Sequence, residues 1–153
     1  MLVSKLDTLH YYNHTGFYEI PVNLLKSPKP GRLLREPDRL FIDTLKKEIL
    51  ENVATPVSPI VGLACVAAGD HYDTRHPQSY MYETIGGNNS RIALQELAKQ
   101  YPDNKAFKTR LVAVYVGLSD SLTLRLASKH NRASGFTHTM TTQDKVKLSI
   151  LVN

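Results

Sequence analysis

Apolar positions recur along the chain in two rhythms. YEIPV (18–22) alternates as a short strand does, with Pro21 tolerable at a sheet edge. From Asp38 the period lengthens: Phe41/Ile42, Leu45 and Ile49 fall at i, i+3/i+4 and i+7/i+8, which predicts a helix. PVSPIVGLACV (56–66) is a β-branched run and predicts a strand beginning after Pro59. A polar loop, AAGDHYDTRHPQS (67–79), joins it to a strand YMYETI (80–85). A helix over 90–101 gathers Leu94, Leu97, Ala98 and Tyr101 on one face, and RLVAVYVGL (110–118) is the clearest strand. Ser119 caps a further helix running to about residue 130, with Leu122 and Leu126 one turn apart, until NRASG (131–135) breaks it. TTQDKVKLSILVN reads as a last helix, still amphipathic where the sequence stops.

The order is strand, helix, strand, strand, helix, strand, helix, helix. It predicts an α/β (α+β) domain with a mixed sheet and C-terminal helices. Residues 1–16 are polar, His/Tyr-rich and aperiodic, a flexible lead-in. Residues 17–139 form the domain, and 140–153 a C-terminal helix expected to lead into further residues. The order lacks the regularity of a doubly wound dinucleotide fold, and neither GxGxxG nor a Walker lysine is present.

Composition narrows the function classes. At 153 residues, 42% apolar and 22% charged, the chain suits one folded domain. It has no 18-residue apolar run, so no membrane partner is expected, and MLVSKLDTLHYYNH lacks the apolar core and cleavage site of a secretory signal. A lone cysteine, Cys65, excludes an internal disulfide and a CxxC zinc site, which favours the cytoplasm or nucleus. A net charge of +5 points to anionic partners, though lysine and arginine are dispersed rather than massed in an arm. Four basic residues, Lys26, Lys29, Arg32 and Arg35, share the proline-rich loop KSPKPGRLLREP (26–37).

The densest chemistry is GGNNSR (86–91), between a strand and a helix. A tight turn accounts for the glycines and a helix cap for the serine; the arginine and doubled asparagine need another reason. A helix start exposes unpaired N–H groups and a partial positive charge, and glycines let backbone approach an anion closely. Gly86, Gly87, Asn88, Asn89, Ser90 and Arg91 together would make a phosphate-binding loop, with Arg91 able to grip phosphate bidentately.

EIPVNLL, the basic loop, FIDTLKKEIL, PIV, YETIGGNNSRIALQEL, RLVAVYV and HNR follow one another over roughly residues 17–148. In this order they resemble the ParB N-terminal/sulfiredoxin superfamily, with its IPvxxL strand, arginine-bearing loop, PIvV strand and Y.iidGerRxxA turn. Gly87 takes the place of that glycine, Arg91 the final arginine and Ala93 the alanine behind it. The resemblance implies a nucleoside triphosphate, CTP or ATP, with magnesium, its phosphates on residues 86–91. Arg32 or Arg35 would close over them, with Asn131 and Arg132 of KHNRASGF, the counterpart of the family's ENxxR. Asn131 matches the family asparagine, while His130 replaces its glutamate. Sulfiredoxins carry a catalytic cysteine in GGCHR; asparagines stand here.

The expected function is a ParB-like nucleotide-binding domain acting as a DNA-associated or regulatory module, with a homodimer among its expected assemblies. The alternatives are a small phosphotransferase or NTPase with Glu36 as base, and a catalytically silent protein-interaction domain. Glu83, a second acidic candidate for metal binding, is expected to be exposed on an alternating strand, and Cys65 buried within one. His71, Asp73 and His76 have metal-like spacing but read as a solvated loop tip, so no metal site is assigned. Tyr11, Tyr12, Tyr18, Tyr80 and Tyr82 are expected to fill sheet surfaces and loops rather than stack on bases.

Overall fold

A computed structural model describes residues 14–51 and 59–133, with side chains through residue 130. These residues form five strands and three α-helices: β1 (His14–Pro21), β2 (Leu25–Lys26), α1 (Arg39–Glu51), β3 (Ile60–Ala64), β4 (Tyr82–Gly86), α2 (Asn88–Gln100), β5 (Thr109–Tyr115) and α3 (Asp120–Ala133). The sheet order is β1-β5-β3-β4-β2. It is mixed: β1 runs antiparallel to β5 and β3 to β4, whereas β3 is parallel to β5 and β2 to β4. The fold is therefore of the α/β mixed class.

The apolar runs become the inner strands because both faces are covered. On one face Leu94 and Leu97 of α2 meet Ile20, Ile60, Tyr82, Val112 and Val114. On the other, Leu124, Leu126 and Ala127 of α3 meet Val61, Leu63, Ile85, Ala113 and Tyr115. Each fully buried side chain of this size contributes about 1.5–3 kcal/mol. Helix α1 lies outside α2, with Ile42 and Leu45 against Ala93. The period read at Phe41/Ile42, Leu45 and Ile49 is this buried stripe.

Several boundaries differ from the expected ones. Strand β1 starts at His14, so residues 14–16 belong to the sheet and not to the expected lead-in, and Pro21 sits at the end of this edge strand opposite Thr109. Helix α3 runs through Ala133, three residues into the expected break at 131–135; Ser119 Oγ accepts from Leu122 N at 3.3 Å, as its cap role requires. Tyr101, expected on the apolar face of α2, ends that helix and is exposed. The expected helix at 140–153 lies outside the described residues.

Helices α1 and α2 are clamped at their solvent edge. Arg39 donates to both oxygens of Glu96 at 2.6 Å each, and Lys46 Nζ reaches Glu96 Oε1 at 3.1 Å. The Arg39 guanidinium, with Lys46 adding to it, holds the Glu96 carboxyl down at about 2 against an ordinary 4.5. A depressed carboxyl pKa stabilises the fold above its unfolded value and loses that contribution as pH falls. Thermal stability should accordingly decline between pH 4.5 and 2, and the decline should be shallower in Glu96→Gln. Melting curves across that range test this; identical acid limbs would refute it.

Candidate functional site

The site is built where β4 ends and α2 begins. Gly62 faces Thr84, but Val61 faces Gly86, so β4 spends two residues where β3 spends one. This bulge re-aims the strand end, as bulges beside functional sites do. Gly86 consequently faces α3, and a Cβ there would stand 2.5 Å from His130 Cδ2 and 2.6 Å from Cγ. Gly87 follows at φ +92°, a left-handed conformation that glycine adopts freely. It is the N-cap of α2, and no side chain caps the helix. The first helical bond runs from Arg91 N to Gly87 O at 2.8 Å. The N–H groups before it have no acceptor within the helix.

Helix α2 thus begins two residues earlier than the apolar period indicated, and Ser90 is a buried first-turn residue rather than the cap. The doubled asparagine has a structural explanation. Asn88 Nδ2 donates to Thr84 O at 2.7 Å, fastening the first turn to β4. Asn89 Oδ1 accepts from Asp38 N at 3.0 Å, while Asp38 Oδ1 accepts from Phe41 N at 3.2 Å. The start of α1 is therefore tied to the start of α2.

Gly86 to Ser90 line a cavity of about 90 Å³ together with Leu34, Arg35, Glu36, Phe41 and His130. Arg35 and Glu36 come from the loop before α1, and His130 from α3. The wall combines first-turn amides, one arginine, one carboxylate and one imidazole. Burial lowers the His130 pKa, leaving the ring neutral at pH 7. His130 belongs to the KHNR stretch singled out in the sequence, where Asn131 and Arg132 rather than His130 are the residues expected at the phosphates; the glycine at 86 permits its close approach.

Arg91 does not line this cavity. Asn88, Arg91 and Gln95 fall at i, i+3 and i+7, one face of the helix. Arg91 Nε donates to Asn88 Oδ1 at 3.2 Å and Nη1 to Gln95 Oε1 at 3.0 Å. Gln95 Nε2 in turn donates to Val22 O and Leu25 O, both at 2.8 Å. Arg91 is 9% exposed, and desolvation lowers the pKa of its guanidinium. In this arrangement Arg91 braces α2 against the chain around β2.

Arg32 is also engaged elsewhere. Its Nη1 pairs with Glu83 Oε2, and its Nε donates to Asp120 Oδ1 at 2.8 Å. Asp120 first, with Glu83, raises the Arg32 pKa above its ordinary value. Lys29 N also donates to Glu83 Oε1, at 2.9 Å. Glu83, expected to be exposed, is 3% exposed, because α3 and the proline-rich loop cover the sheet face it occupies. Arg32 thereby pins the loop that delivers Arg35 and Glu36. Asn131 and Arg132 lie in the last turn of α3, and their side chains are outside the described residues.

The remaining candidates stand apart. Cys65 is exposed just after β3, not buried within it, at the strand end away from Gly86. Asp73 and His76 form an exposed pair, Nδ1 to Oδ2 2.7 Å, and His76 first, with the Arg75 backbone, lowers the Asp73 pKa. Among the described residues no three His, Cys, Asp or Glu side chains gather as a metal site. Tyr82 is fully buried, bonded to the Tyr72 hydroxyl at 2.7 Å and donating to Pro77 O at 2.6 Å. It anchors the 67–79 loop. Among the described residues no helix is long and apolar enough to cross a membrane. No known family model matches the chain, and no curated protein is significantly similar to it.

Proposed function

We propose that the chain is a nucleotide-binding domain of the ParB/sulfiredoxin kind, acting as a DNA-associated or regulatory module in the cytoplasm or nucleus. A homodimer and DNA, met by the basic surface, are the partners that go with this reading; DNA retention should weaken steeply with salt. One observation carries it: a glycine-led, uncapped first turn opens on a cavity that Arg35 also lines. Phosphate would sit against the amides of residues 87–90, with Arg35 as its cation. Arg91 supports the turn from below rather than touching the anion.

The cavity, at about 90 Å³, suits a phosphate group. Pockets that enclose a whole small molecule measure about 300–1,000 Å³. Ribose and base would extend beyond it, so discrimination among bases should be weak. Magnesium commonly takes one or two carboxylates and completes its shell with phosphate and water. Glu36 is the carboxylate in the cavity wall, and Glu83 is spent on Arg32. The donor set fits a nucleotide-borne magnesium held from one side.

A second reading, a small phosphotransferase or NTPase, is favoured by the presence of Glu36 in that same wall. A thermal-shift panel of CTP, ATP, GTP and ADP, with and without magnesium, tests both. A ligand at a hundred times its dissociation constant should stabilise by about 2.7 kcal/mol, with a smaller shift in Arg35→Gln. Absence of any shift would sink both readings. Phosphate release or transfer that vanishes in Glu36→Gln would select the enzyme over the module.

A further inference from the structure

The cavity wall carries a carboxyl group and an imidazole, and they arrive from different elements. Glu36 comes from the loop before α1; His130 comes from α3. The His130 ring rests directly on Gly86, its Cδ2 2.5 Å from where a Cβ would stand. Among the described residues neither ring nitrogen makes a hydrogen bond. The charged groups around it can be named element by element. The loop offers Arg35 and Glu36, while the first turn of α2 offers amides and no ionisable side chain before Arg91, which is turned away. Strand β4 offers Glu83, already paired with Arg32. Its own helix carries Arg125 and Lys129, each with interactions of its own.

We propose that His130 couples anion binding in this cavity to the uptake of a proton. A phosphate on the first turn of α2 is met from α3 by an imidazole that is neutral when the site is empty. A nearby dianion favours the charged ring, so binding draws a proton from solvent onto His130. No bond to phosphorus forms or breaks in this step. Burial of the neutral ring supports the same picture. The inference rests on the phosphate-binding reading above, and adds to it a preference for mildly acid conditions.

Calorimetric titration with inorganic tripolyphosphate tests it, in buffers that differ in ionisation enthalpy. Protons taken up per ligand should be above zero near pH 7, and affinity should rise roughly threefold to tenfold from about pH 7 to pH 6. In His130→Gln the uptake should fall to whatever the ligand contributes, while His76→Gln, exposed in the 67–79 loop and absent from the cavity wall, should retain it. Should His130→Gln fail to fold, the imidazole resonances of the intact chain serve instead: one histidine must titrate higher with ligand than without. Binding with equal uptake in wild type and His130→Gln, or with no histidine shifted, overturns the inference and leaves phosphate binding standing. No binding of tripolyphosphate or nucleotide at either pH overturns the reading, and the inference with it.

Discussion

Arg32→Met should destabilise the fold by about 3–5 kcal/mol, because it leaves a buried carboxylate without its cation. Glu83 has a side chain only 4% exposed, with Arg32 Nη1 on one oxygen and Lys29 N on the other. Methionine preserves most of the apolar stem, so the loss isolates the charge. Adding Glu83→Gln to Arg32→Met should recover a large part of the deficit, since an amide does not need a cation. Asp120→Asn alone should cost under about 1 kcal/mol, because that carboxylate is largely in solvent and surface pairs are weak. Urea unfolding of the wild type and these three variants decides the matter. If Arg32→Met falls within about 1 kcal/mol of wild type, Glu83 is not held as a buried charge. The same substitution should loosen the loop bearing Arg35 and Glu36, weakening nucleotide binding even where the protein stays folded. Arg32 would then act through the loop's position, without touching the phosphate.

This loop shows where a sequence reading reaches its limit. Three prolines and a glycine marked residues 26–37 as irregular chain, and that much is correct. Within the stretch, however, Lys26 closes a two-residue strand and Leu34 is buried. Two residues are too few to show a period, and adjacent leucines in a loop gave the one sign of contact with the core. Glu83 was misread for a related reason. Alternation on a strand implies a wet face only when one side lacks a cover, and β4 lies between α2 and α3. The periods of 41–49, 94–97 and 110–115 were legible because each element buries a continuous stripe.

The candidate site was half legible. Glycines before a helix signal a backbone device wherever they occur, and Gly87 has the positive φ such a turn needs. The start of α2 was placed late because Asn88 and Asn89 bear no apolar side chain to extend the helical rhythm. Their hydrogen bonds to Thr84 O and Asp38 N connect positions 4 and 51 residues apart. The second of these is a tertiary contact that no local pattern encodes. Arg91 was assigned from its place in a motif, whereas its i−3 and i+4 neighbours, Asn88 and Gln95, decide where it points. A polar triad of that spacing on a buried helix face is a structural signal in its own right.

Gly86→Ala should cut the nucleotide-induced thermal shift to about half or less while leaving a folded protein. The added methyl group would stand 2.5 Å from His130 Cδ2 and 3.1 Å from its Cβ, so rotation of the ring alone does not relieve the clash. Either the start of α3's last turn moves or the strand end does, and overpacking of this kind costs about 1–3 kcal/mol. The displaced imidazole would intrude on a cavity of only about 90 Å³. Affinity should fall at least about tenfold, equivalent to about 1.4 kcal/mol. Gly87→Ala separates geometry from space. Its Cβ would meet Ile60 Cγ1 at 3.2 Å, and the left-handed backbone alone costs an alanine about 1–2 kcal/mol. Gly87→Asn should be milder, since asparagine tolerates that conformation better. Both Gly87 variants retain the amides of Asn88, Asn89 and Ser90, so each should keep part of the ligand response, set by the affinity those amides still supply. A full response in Gly86→Ala would mean that the ligand sits elsewhere. A full loss in Gly87→Asn with the fold intact would place the decisive contact on the Gly87 amide itself.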